Sequence, residues 1–92
     1  MIEGKTSSGF HYKIADDARD DMELLEAFMD IDNGKVSGLK AVIEQLLGAE
    51  QKKALYDHIR NKETGRVRAS EVMKAIGEIL TDAGEQDTAV KN

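Results

Sequence analysis

The chain divides by the rhythm of its apolar positions. Phe10, Tyr12 and Ile14 alternate with His11 and Lys13, the period of two that sets one face of a strand against a core. Residues Ile2 to Thr6 can supply a partner strand through a turn at Ser7-Ser8-Gly9. A two-stranded hairpin is marginal alone, so it should lie on the elements that follow. Beyond Ile14 the rhythm becomes helical. Asp16 or Asp17 can accept backbone N–H bonds as an N-cap, and Ala18, Met22, Leu25 and Met29 then fall on one face, flanked by Leu24 and Phe28. Asn33-Gly34 ends that helix, because both residues tolerate the left-handed conformation of a C-terminus.

A second helix carries Leu39, Val42, Ile43, Leu46 and Leu47 at i, i+3, i+4, i+7 and i+8, with Ser37 as cap and Gly48 as stop. A third runs from Ala49 to Arg60 after a bend at Gly48, with Leu55, Tyr56 and Ile59 inward and Lys52, Lys53 and Asp57 outward. Residues 61–65 read as a loop, and Val67 tucks back onto the core. A fourth helix over 69–82 aligns Val72, Met73, Ile76, Ile79 and Leu80, with Gly84 as its stop. The polar residues 85–92 read as a disordered tail. The expectation is a mainly α protein: a single domain over 1–84, a small bundle of about four helices preceded by a short N-terminal β-hairpin or extended segment.

Composition narrows what such a domain can do. At 92 residues there is room for one modest core and none for a cleft between domains. Without cysteine there is neither disulfide nor thiolate metal site. The opening MIEGKTSSGF lacks the apolar core of a signal peptide, and no apolar run nears the roughly 20 residues that span a bilayer. A cytoplasmic protein is expected, with no membrane partner.

Charge is unevenly spread. From Asp16 to Gly34, eight carboxylates oppose Arg19 alone, a balance of −7 against −5 for the whole chain. Part of this excess complements the helix dipole, and part offers a docking face for a basic partner. Asp20, Asp21, Glu23 and Glu26, with the apolar Leu24 and Phe28, are the candidate binding residues of this helix. Between Lys52 and Arg68 the sign reverses, six bases against two acids for +4, and Arg60, Lys62, Arg66 and Arg68 are the candidates there. Opposite patches on one small protein permit head-to-tail association of copies, a homo-oligomer. The acidic remainder and the shortage of aromatic residues disfavour nucleic acid as a partner.

Two stretches, DIDNGKV and NKETGRVRASE, imitate calcium loops. Such a loop needs oxygen ligands at its first, third and fifth positions, glycine at the sixth and glutamate at the twelfth. With Gly34 sixth, Met29, Ile31 and Lys40 fall first, third and twelfth. With Gly65 sixth, Arg60 and Lys62 fall first and third, although Glu71 does fall twelfth. Cations and hydrocarbons cannot ligate calcium, so no metal and no cofactor is expected. His11 and His58 lie in different elements without an adjacent nucleophile, so no catalytic residue is expected and the protein reads as non-enzymatic.

The succession FHYKIADDARDD, MELLEAFMDIDNG, an apolar helix ending LLG, AEQKKALYDHIR, GRV and VMKAIGEIL resembles the short tail assembly chaperones of long-tailed, siphovirus-like phages and prophages of Gram-positive bacteria. The resemblance covers about residues 9–81. Met22 departs from it, standing where an aromatic residue is usual. The resemblance implies a protein that binds the tape-measure protein, keeps its long helices soluble and helps recruit the tail-tube protein. It also implies residence in the host cytoplasm, absence from the mature virion, and a longer frameshifted form, with which the ending Val90-Lys91-Asn92 is compatible. Two other readings of the residues remain open. One is a small bacterial adaptor or regulatory module of degenerate EF-hand-like form. The other is a nucleic-acid-binding regulator using Arg60, Arg66 and Arg68.

Overall fold

The alternating segment does form a strand. In a computed structural model, which describes residues 1–84 in full and assigns helix as far as Lys91, β1 (Ile2–Lys5) and β2 (His11–Ile14) pair antiparallel. Ile2 lies opposite Ile14 and Gly4 opposite Tyr12, so the alternation delivers Ile2, Tyr12 and Ile14 to the core together. The connection closes on itself. Thr6 N–H donates to the Phe10 carbonyl at 2.9 Å, Gly9 N–H to the Thr6 carbonyl at 3.0 Å, and Phe10 N–H to Thr6 Oγ1 at 3.2 Å. Gly9 takes φ +93, which a side chain would strain.

The next element starts later than the aspartates suggest. Helix α1 (Met22–Asp32) is capped by Asp21, whose side chain accepts from Glu23 N–H at 2.8 Å. Asp16 and Asp17, expected as caps, lie in a run of turns closed by Ala18 N–H to Ala15 and Asp20 N–H to Asp17. Any of four aspartates can cap, so packing selects among them: the turns bury Ala18, and a start at Met22 delivers Leu24 and Ala27 to the core. The expected stop at Asn33-Gly34 is present. Gly34, at φ +82, donates to the Ile31 carbonyl at 3.0 Å, and Lys35 N–H reaches back to the Asp30 carbonyl at 2.8 Å, a Schellman closure.

There are three helices, not about four. The two expected on either side of Gly48 form one element, α2 (Ser37–Ile59), broken at Gly48 by φ 80 and ψ 166. The bend is therefore present, but the helix resumes at once beyond it. Ser37 is the first helical residue rather than the cap; Val36 occupies that position and offers no side-chain acceptor. α1 packs on α2 across Gly38, where a Cβ would come within 2.7 Å of the Ala27 carbonyl oxygen and 2.9 Å of Ile31.

Helix α3 (Ala69–Lys91) buries Val72, Ala75, Ile76, Ile79 and Ala83. Met73, expected inward, is exposed, and the small Ala75 takes the core position instead. Gly84 does not end α3. It lacks the positive φ of Gly34, and a helix tolerates an interior glycine at a cost of about 1 kcal/mol. The expectation of a disordered tail over 85–92 lies outside the described residues.

The hairpin is wedged between α2 and α3. Tyr12 donates its buried hydroxyl to Asp82, and Ser7 donates both N–H and Oγ to the Glu78 carboxylate at 2.7 Å each. On the other side, Lys13 N–H donates to Gln51 Oε1 at 2.8 Å while Gln51 Nε2 donates to the Lys13 carbonyl at 2.6 Å. The His58 Nε2 lies 2.9 Å from the Ser8 carbonyl oxygen, and its ring centroid is 5.8 Å from that of Phe10. Among the described residues, no helix is long and apolar enough to cross a membrane.

Candidate functional site

Helix α1 is apolar on two sides. Successive residues advance by about 100°, so Leu24 and Ala27 point to α2 and the core while Met22, Leu25 and Met29 share the opposite side. Their exposures follow that division: Leu24 is 3% exposed, against 62%, 52% and 51% for Met22, Leu25 and Met29. Phe28, at 36%, forms the shoulder between the two sides. Five of the eight large apolar side chains exposed among the described residues belong to this one helix of 11 residues. One apolar side of α1 is already packed on the core, so its outward apolar side is an unmatched surface.

This inverts one expectation. The spacing of Met22, Leu25 and Met29 pointed to the core, with Leu24 as a candidate binding residue; Leu24 is core, and the three others are surface. Periodicity could not choose, because both sides repeat at helical spacing and Ala27 is too small to mark the buried one. Phe28 remains available to a partner.

The carboxylates sort into those with structural work and those without. Asp21 serves as the cap of α1, and Asp16 pairs with the Met1 amino group at 2.8 Å. Asp20 is exposed in the turns before the helix. Glu23, Glu26 and Asp30 form a stripe beside the apolar face, Glu23 and Glu26 exposed and Asp30 4.0 Å from Lys35 Nζ. No lysine or arginine lies within α1. Asp16, Asp17 and Asp20 also rim a cleft of about 640 Å³ floored by Ile2, Leu24 and Leu80.

The basic candidates form a separate surface. Asn61 organises their loop: its carboxamide oxygen accepts from Glu63 and Thr64 N–H, and Gly65 follows at φ +73. Arg60 is committed to that loop, donating to the Gly65 carbonyl at 2.8 Å and lying 3.6 Å from Asp57. Lys62, Arg66 and Arg68 stand exposed. Beside them a shallow groove of about 310 Å³ runs over Val36, Leu39, Ile43, Tyr56, Val67 and Val72. Among the described residues, no ion pair joins the acidic segment to the basic one: Asp16 and Asp30 pair with Met1 and Lys35, Lys52 and Arg60 with Glu44 and Asp57. Nor do three His, Asp or Glu side chains gather there to hold a metal ion.

Comparison with models of known protein families, with curated proteins and with solved structures returns no match.

Proposed function

We propose that this protein is a non-enzymatic tail assembly chaperone of the kind its sequence resembles. It would bind the tape-measure protein, keep its long helices soluble and help recruit the tail-tube protein in the host cytoplasm, without entering the finished virion. The observation that supports this reading is the outward face of α1. A holdase must offer apolar surface to a client, and Met22, Leu25, Phe28 and Met29 offer it on a rigid helix whose other side is anchored in the core. Burying each such side chain against a client contributes about 1.5–3 kcal/mol at full burial, enough for useful binding without any covalent step. The separate acidic and basic surfaces add a route to association between copies.

Co-expression with a helical segment of the tape-measure protein, followed by co-purification, tests the proposal. The native chain should keep that segment soluble and be retained with it, while the doubly substituted Leu25→Ser, Met29→Ser chain should lose it. A segment that aggregates equally with and without the native chain would overturn the reading. The gene context gives an independent check: a tail-tube gene upstream and a very long helix-coding gene downstream are expected.

A further inference from the structure

We infer that the outward face of α1 takes an amphipathic helix whose apolar stripe is flanked by lysine or arginine. The inference rests on α1 being a docking face, as in the functional proposal, but not on the identity of the client. Three observations carry it. Met22, Leu25 and Met29 stand at i, i+3 and i+7, a ridge that fits between the side-chain ridges of another helix. An extended peptide has nothing to pair with there, since the backbone of α1 is spent within its own helix and caps.

Charge then selects among helices. Glu23, Glu26 and Asp30 line one border of the ridge; Lys35 lies 4.0 Å from Asp30, and α1 itself supplies no base to offset the two glutamates. A partner with cations along its flank satisfies these carboxylates, whereas an acidic flank is repelled. The same argument disfavours a second copy of this face as the occupant, because it would bring its own Glu23 and Glu26 and no base except Lys35, which already stands beside its own Asp30. The two methionines make the ridge adaptable, so a range of apolar side chains can pack on it. Recognition thus depends on the partner's pattern more than on a unique sequence.

The test uses the full chain and two labelled synthetic peptides of about five helical turns, with the same leucine stripe and either lysine or glutamate flanks. The lysine-flanked peptide should bind, more weakly as salt rises, and the glutamate-flanked peptide should not. Leu25→Ser and Met29→Ser should each weaken binding about tenfold or more, with circular dichroism unchanged because both residues are exposed. Glu23→Lys combined with Glu26→Lys should reverse the preference between the peptides. Equal binding of both peptides, binding of neither, or full binding by the two serine variants would overturn the inference. So would self-association of the native chain that Leu25→Ser abolishes. A lysine-flanked peptide that binds while the tape-measure segment does not would overturn the chaperone reading and leave this one standing. A tape-measure segment still held by the serine variants would do the reverse.

Discussion

At the scale of single residues, the junction between hairpin and α3 is tightly constrained. Tyr12 is 2% exposed, and its hydroxyl must find a partner there, which Asp82 provides. Gly4, opposite Tyr12, is required by the same contact, since a Cβ would run into the Tyr12 ring and the Asp82 carboxylate. Burial first, then the hydrogen bond and charge of Asp82, hold the Tyr12 phenol well above its ordinary value of 10.0. The unfolded chain ionises this tyrosine near that ordinary value while the folded chain keeps it neutral. Its contribution is therefore full below pH about 10 and is lost as the pH rises beyond. Urea unfolding at rising alkaline pH should show stability falling in that window, and Tyr12→Phe should flatten the fall while costing about 1 kcal/mol near neutrality. An unchanged alkaline slope in the phenylalanine variant would contradict the assignment. Glu78 shows the opposite sign: hydrogen bonds from the Ser7 backbone and then its hydroxyl hold the carboxyl below its ordinary 4.5. Its support is present above that value and fades as the pH falls through the lowered one.

At the scale of elements, Gly48 sets the course of the chain. Its φ of 80 with ψ of 166 belongs to a region that only glycine enters freely, and nothing stands within 4 Å of where a Cβ would be. Gly48→Ala therefore tests backbone strain alone. It should cost about 1–3 kcal/mol, with the midpoint of thermal unfolding falling by roughly 4–8 °C for each kcal/mol. A variant as stable as the native chain would show that the bend tolerates alanine. Gly48, the hairpin and the Asn33-Gly34 stop were legible in the sequence because each depends on local chemistry: a left-handed residue, a period of two, a turn. Three things were not. Helix α1 begins at Met22 because tertiary packing chose among four capable aspartates. The helix count came out one too high because a glycine that bends a helix and one that ends it look alike in sequence. The face of α1 was inverted because Leu24 and Ala27 compete with Met22, Leu25 and Met29 at the same spacing. Of the candidate site, Glu23 and Glu26 are exposed; Leu24 and Phe28 flank the stripe alike in sequence, which cannot separate them from core, and only the packing of α1 against α2 at Gly38 buries Leu24 and leaves Phe28 partly open.

At the scale of the whole molecule, the hairpin is part of the core rather than an appendage. Ile2, Phe10, Tyr12 and Ile14 are buried with residues of all three helices, and the hairpin touches both α2 and α3. Removing residues 1–14 should therefore abolish cooperative unfolding and raise binding of a hydrophobic dye, both readable at moderate protein concentration. A shortened chain with an equally sharp transition would show that the helices suffice. α1, by contrast, presents a second apolar side that the fold leaves uncovered, so residues there can be substituted without disturbing the core. The pairing of Gln51 with Lys13 has a consequence for solubility. A two-stranded sheet offers an open margin to any passing extended chain, an invitation to aggregation. The primary amide of Gln51 has the shape and polarity of a peptide unit, and it engages both backbone groups of Lys13. One side chain thus serves as a third strand a single residue long, occupying the margin of β2 at Lys13.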